Sequence, residues 1–168
     1  MRRVTVTPYN ESWPAAFENA AAEIREILEP ICLDVQHIGS TAVPGLAAKP
    51  VIDLLVIVLD IEAVDLFEGA FRKFDYRAKG ENGLPGRRYF ERGGNKRTHH
   101  VHCYEQGNPE IFRHLAFRDF LKENPQIAAA YGGLKTELAK QHPLGIEQYI
   151  NGKQAMVQEI EKKAMGEI

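Results

Sequence analysis

The stretch His37–Val58, HIGSTAVPGLAAKPVIDLLVIV, joins a Gly-Ser turn, two prolines and a lysine to a nearly unbroken apolar run entered by one carboxylate, Asp53. Val51–Leu59 is apolar on both alternating faces, the pattern of a central strand covered from two sides. A carboxylate taken into such a strand needs partners. It is either a hydrogen-bonded group at a strand end or part of a site. A phosphate-binding loop of the Gly-Lys-Ser/Thr type does not fit, because its closing residues would fall on Pro44, Gly45 and Leu46. A different anion site does fit. Gly39 lets the backbone approach a phosphate closely. Ser40 and Thr41 add hydroxyl donors, and the turn after them can open a helix N-terminus toward an anion. Twelve residues separate Ser40 from Asp53, enough for a short helix and a return to a neighbouring strand. Asp53 would then face the turn across a cleft, where a carboxylate can hold a divalent metal bridging to phosphates.

Outward from this stretch, Arg3–Thr7 alternates as a short strand. Trp13, Phe17, Ala21, Ile24 and Leu28 recur at helical spacing until Pro30. Ile31–Ile38 reads as a strand, Ile61–Phe74 as an amphipathic helix and Tyr76–Lys79 as a strand. The loop GENGLPGRR (80–88) is glycine-rich and suits a lid. Arg87–Arg92 and Thr98–Glu105 form a hairpin across GGNK. Three helices follow, at Pro109–Glu123, Pro125–Gln141 and Ile146–Met165. Trp13, Phe17, Phe112, Phe117 and Phe120 are expected in the core. The whole chain, 1–168, reads as one α/β (α+β) domain with a mixed sheet in the middle and helices at both ends.

Composition is that of a globular protein, with 44% hydrophobic and 26% charged residues. A net charge of −2 draws the chain neither to nucleic acid nor to an anionic membrane. The first residues, MRRVTVTPYNESW, hold no long apolar segment, and Val51–Leu59 is too short to span a bilayer. Cys32 and Cys103 have no motif spacing. A reducing, cytoplasmic setting is expected.

PYNESWPAAF (8–17), HIGSTAVPGLAAKPVIDLLV (37–56), LPGRRYF (84–90), HHVHCYE (99–105), RHLAFRDFL (113–121) and YINGK (149–153) fall in one order along nearly the full length. In these pieces the chain resembles the GrpB family, a branch of the nucleotidyltransferase superfamily. That resemblance implies a nucleotidyltransferase-like mixed sheet flanked by helices. Members of the family also occur fused to dephospho-CoA kinase as an accessory domain.

The pattern departs from that superfamily at one place. A standard nucleotidyltransferase carries two carboxylates two residues apart, on one face of a strand, to bind the metals for phosphoryl transfer. Here Leu55 follows Asp53. His100 and His102, alternating on one face of the next strand, are candidates to stand in for the missing ligand, with His37. Asp53, His100, His102 and His37 would then form a metal set for Zn, Mn or Mg, the imidazoles favouring the transition metals. Lys49, Arg87 and Arg88 are candidate phosphate groups. His114 and Arg118 lie one helical turn apart and could reach the same cleft, as could Lys153. The expected partner is a nucleotide or another phosphorylated small molecule, and the expected cofactor a divalent metal. Three functions compete: a divergent nucleotidyltransferase with Asp53 as its catalytic carboxylate, a nucleotide-binding accessory module without catalysis, and a metal-dependent hydrolase in the same cleft.

Overall fold

Alternating apolar residues draw five segments of the chain into one mixed sheet. The computed structural model describes residues 3–166. Helix α1 (Trp13–Ile27) is followed by β1 (Cys32–Ile38), a 3-10 turn at Ser40–Ala42, and β2 (Ile52–Val58). A second 3-10 turn (Glu62–Phe67) leads into α2 (Glu68–Lys73), then β3 (Arg77–Ala78), β4 (Arg87–Arg92) and β5 (His99–Glu105). Helices α3 (Pro109–Glu123), α4 (Pro125–Gln141) and α5 (Ile146–Ala164) complete the fold. The strand order is β1-β2-β5-β4-β3. Only the β2–β5 pair is parallel.

The sheet has two different faces because β2 is apolar on both. Leu54, Val56 and Val58 point into a core closed by Trp13, Phe17, Ala21 and Ile24 of α1 and Phe71 of α2. Leu55 points the other way, into a cluster with Ile38, Tyr104 and the α3 residues Ile111 and Leu115. Asp53 shares that second face. The three C-terminal helices pack on one another and on the loop after β1, through Leu121, Ala128, Tyr131 and Ile160 against Val43 and Leu46.

Four expectations need correction. Of Arg3–Thr7 only Thr7 pairs, in an isolated antiparallel bridge to Ala48. Pro8, without an N–H, cannot extend the ladder. The segment 61–74 divides into a 3-10 turn and a short helix, its buried residues being Val64 and Phe71. The strand at 76–79 shrinks to two residues, flanked by Asp75 and Gly80 at positive φ. Phe112 is 59% exposed. Its neighbour Ile111 faces the sheet, and one residue of helix turns Phe112 about 100° away.

Candidate functional site

The strand register brings the two halves of the site together. Asp53 lies opposite Ile38 on β1 and His100 on β5. Where β1 ends, Gly39 turns with φ 74° and ψ −174°, a backbone conformation open essentially to glycine. A Cβ at Gly39 would stand 2.6 Å from Asp53 Oδ2, so the turn and the carboxylate are in contact. The expected helix N-terminus is a three-residue 3-10 turn. Pro44 and Gly45 follow it, and so short a turn carries no helix dipole worth using.

Asp53 Oδ1 takes both histidines, His100 Nδ1 at 3.3 Å and His102 Nε2 at 3.2 Å. The opposite ring nitrogens face arginines. Arg97 Nη1 is 3.1 Å from His100 Nε2, and Arg87 Nη1 is 3.4 Å from His102 Nδ1. A guanidinium can only donate, so the nitrogen facing it must present a lone pair. The network thereby assigns the proton of each ring to the nitrogen that faces Asp53. Burial raises the Asp53 carboxyl, but the hydrogen bonds from His100 and His102 outweigh it and hold the group well below the ordinary carboxylate range.

This arrangement does not fit metal ligation. A ligating histidine turns a lone pair to the metal and gives its other N–H to an acceptor such as a carboxylate or carbonyl. Both polarities are reversed here. Leu55, at the position of a second carboxylate, is fully buried under α3. Among the described residues no three His, Cys, Asp or Glu side chains are grouped to hold a metal ion. His37 stands on the other sheet face, its register partner being Leu54. It stacks on Phe17 at 4.8 Å between centroids and bonds Thr41 Oγ1 at 2.9 Å. Burial lowers its pKa to about 4.

A cavity of about 310 Å³ opens beside Asp53, between the sheet and the C-terminal helices. Gly39, Ser40, Thr41, Lys49, His100, His102, His114 and Lys153, all candidates from the sequence, line it. So do residues that sequence reasoning missed: Arg113, Tyr131, Lys135, Tyr149 and Glu161. Lys135 is only 2% exposed, and its ammonium sits 4.5 Å from the Tyr131 ring centroid. Those of Lys49 and Lys153 each lie 5.2 Å from the Tyr149 ring centroid. Burial, with Lys153 and Lys49 nearby, brings the Lys135 pKa down to about 6, and burial lowers that of Lys153. Burial also pushes Tyr131 up to about 12 against its hydrogen bond with Ser40. His114 is held neutral, its pKa brought to about 3 by burial and by His102 and Arg113. Among the described residues, buried His114 Nε2 and Tyr149 Oη have no hydrogen-bond partner. Arg113 is spoken for by Glu110 and by Glu161, the latter at 2.8 Å.

A sequence signal for the missed lysine exists. Tyr131–Lys135 and Tyr149–Lys153 repeat the spacing Tyr-x-x-x-Lys on successive helices, which puts each lysine one turn from its ring.

Three expected phosphate residues lie elsewhere. Arg88 projects to the opposite face of β4 and pairs with Asp65 at 2.8 Å. Arg118 reaches round the edge strand to Gln36 Oε1 and the His37 carbonyl. Arg87 is buried behind His102, bonded to the carbonyls of Glu81 and Asn82. Those bonds, with Gly86 N–H to Glu81 Oε2 at 2.7 Å, staple the 80–86 loop away from the cavity, so it is not a lid over this site.

A mixed sheet with a Gly-Ser turn against a strand-borne aspartate is a nucleotidyltransferase fold. The Cid1 poly(U) polymerase structure bound to MgATP superposes with a TM-score of 0.54 at 12% identity, over 79% of this chain and 44% of that one. The chain belongs to the GrpB family, whose profile, described as GrpB protein, matches residues 3–163. The conserved protein GrpB from Enterococcus faecalis shares the fold at a TM-score of 0.94 and 52% identity, covering 96% of this chain and 98% of that one. UPF0157 protein YqkA of Bacillus subtilis is 50% identical over 97% of this chain. A dephospho-CoA kinase of Mycolicibacterium paratuberculosis is 26% identical over 96% of this chain. This chain spans 48% of the former and 46% of the latter.

Proposed function

We propose that the cleft binds a nucleotide or another phosphorylated small molecule, and that binding, rather than nucleotidyl transfer, is its principal activity. The carrying observation is the cavity itself, where the Gly39–Ser40 turn and Asp53 meet Lys49, Lys135 and Lys153. The lysines supply charge for an anion. Tyr131, Tyr149 and Phe117 supply apolar wall for a base or a pantetheine-like arm. A carboxylate held as strongly ionised as Asp53 is a weak proton acceptor at neutral pH. Its role here is to accept hydrogen bonds from ligand hydroxyls. A divalent cation, Mg, Mn or Zn, would find one carboxylate and no suitably turned imidazole, which also disfavours a metal-dependent hydrolase. The kinase relative supports an accessory module, and the two free cysteines support a reducing, cytoplasmic setting. Thermal shift with nucleotides, phosphorylated sugars and phosphorylated pantetheine compounds tests the proposal. At least one compound should raise Tm in wild type and leave Lys153→Met unmoved. A flat response across the panel overturns it.

A second reading, slow nucleotidyl transfer, draws on the retained Gly39, Ser40 and Asp53 in a fold shared with Cid1. A radiolabelled transfer assay with Mg²⁺ and Mn²⁺ on wild type and Asp53→Ala separates the two.

A further inference from the structure

We infer that this cleft holds its phosphate-bearing ligand without a divalent cation, the anion's charge being met by Lys49, Lys135 and Lys153; the inference rests on the phosphate-binding reading above. Two observations independent of each other carry it. The first is the polarity of the histidine pair. Arg97 and Arg87 donate to the outer nitrogens of His100 and His102, so both inner nitrogens are N–H donors to Asp53 Oδ1. Ligation of a cation beside Asp53 would move both protons outward, each against a guanidinium N–H. Neither arginine can give way readily. Arg97 is paired with Glu91 at 2.7 Å, and Arg87 is tied to two backbone carbonyls.

The second observation is that two lysines of the cavity have no carboxylate partner among the described residues. Among the described residues neither Lys135 nor Lys153 forms an ion pair, and Lys135 is almost wholly buried. Burying amines beside one another disfavours their charged forms and costs folding free energy. Beside them Tyr149 Oη and His114 Nε2 are buried without hydrogen-bond partners among the described residues, and unsatisfied buried groups mark places that a ligand or water completes. The carboxylates that line the cavity are Asp53, held by the two histidines, and Glu161, paired with Arg113. In a two-metal site the cations arrive with the nucleotide and carboxylates hold them. Here Leu55 stands in place of the second carboxylate, and lysine side chains line the cavity, able to meet an anion as ammonium groups. A polyphosphate or phosphate monoester would lie against those lysines, with Asp53 facing its hydroxyl-bearing end.

Calorimetric titration of the full chain with ATP, GTP, CTP, UTP and inorganic triphosphate, each in EDTA and in Mg²⁺, tests this. Expected is at least one ligand whose Kd in EDTA lies within about threefold of its value in Mg²⁺. Lys135→Met and Lys153→Met should each weaken it by tenfold or more. The sign of the Asp53→Asn effect on inorganic triphosphate, which has no sugar hydroxyl for Asp53 to hold, discriminates the two kinds of site: a metal-free site binds that anion equally well or more tightly when the negative charge is removed. Binding seen only with Mg²⁺ and lost in Asp53→Asn overturns the inference and leaves the phosphate-binding reading intact. Absence of binding by all five ligands in both buffers, with the thermal-shift panel also flat, overturns the two together. Binding in EDTA that both lysine variants retain, while their melting curves show them folded, also overturns it.

Discussion

Asp53 sits where the free energy of one residue is set by its neighbours on three elements. It faces the Gly39 turn, accepts from two histidines on β5, and borders Leu55 on its own strand. Gly39→Ala should cost about 1–3 kcal/mol in backbone strain alone. The new methyl also meets Oδ2, so the variant should bind any cleft ligand more weakly. Urea denaturation and the same ligand titration check both effects. Leu55→Asp restores the carboxylate spacing of a transferase on paper. It places a charge among Ile38, Tyr104, Ile111 and Leu115, where it has no partner. We expect a loss of 3 kcal/mol or more, on the order expected for an unpaired buried charge, and no gain of transfer in the radiolabelled assay. A stable variant with metal-dependent transfer would contradict the account of the second carboxylate.

At the scale of elements, α4 and α5 each contribute a tyrosine with a lysine one turn later, and neither lysine is where helix energetics alone would put it. Gly132 and Gly152 allow close packing beside them, since a Cβ would stand 3.0 Å from Leu46 Cδ1 at the first and 2.5 Å from Leu138 Cδ2 at the second. Lys135 thus keeps an amine-bearing chain inside the fold. Its folded pKa of about 6 lies below the ordinary value of 10.5. Between these values the unfolded chain binds a proton that the folded chain does not, so stability rises with pH through that window. Below pH 6 both states are protonated and the full penalty is present. Lys135→Met keeps the volume and removes the charge. Its stabilisation should therefore be largest below pH 6 and fade toward pH 10. A net gain of about 1 kcal/mol at neutral pH corresponds to a Tm rise of about 2–4 °C at this chain length. Thermal melts across pH check the sign. The same titration predicts that anion binding at pH 8 takes up a proton, seen as a binding heat that depends on the ionisation enthalpy of the buffer.

For the whole molecule, the cleft exists because two layers meet over one end of the sheet. The sheet supplies Gly39, Ser40, Asp53 and the histidines, and the C-terminal helices supply the tyrosines and two of the lysines. A ligand bridging them should slow amide exchange in the Ser40–Ala42 turn and along α4 and α5 together. The 80–86 loop, stapled by Arg87 and Glu81, should show no change. Hydrogen exchange with and without ligand checks this, and protection confined to that loop would point to a site elsewhere. Among the described residues no helix is long and apolar enough to cross a membrane.

The sequence by itself determined the sheet and one wall of the site. Val51–Leu59, apolar on both faces, could only be a central strand. The period-2 pattern of β5 put His100 and His102 on one face, and Gly39 with Asp53 marked the end of the sheet where the cavity opens. These readings succeed because strand parity and glycine backbone preference are local properties. Direction across the fold is not local. Arg87 and Arg88 are adjacent in sequence, yet β4 sends one behind His102 and the other to Asp65 on the far side. His37 left the metal set because one step of register turned it toward Phe17. Lys135 lies far along the chain from Asp53 and enters the cavity only through the packing of α4 against the loop after β1. The protons on His100 and His102 were decided last, by arginines whose positions depend on strand pairing and on the 80–86 loop. Hydrogen-bond polarity is a property of assembled neighbours, so only the tertiary structure could distinguish a histidine pair that would ligate a metal from one that holds a carboxylate.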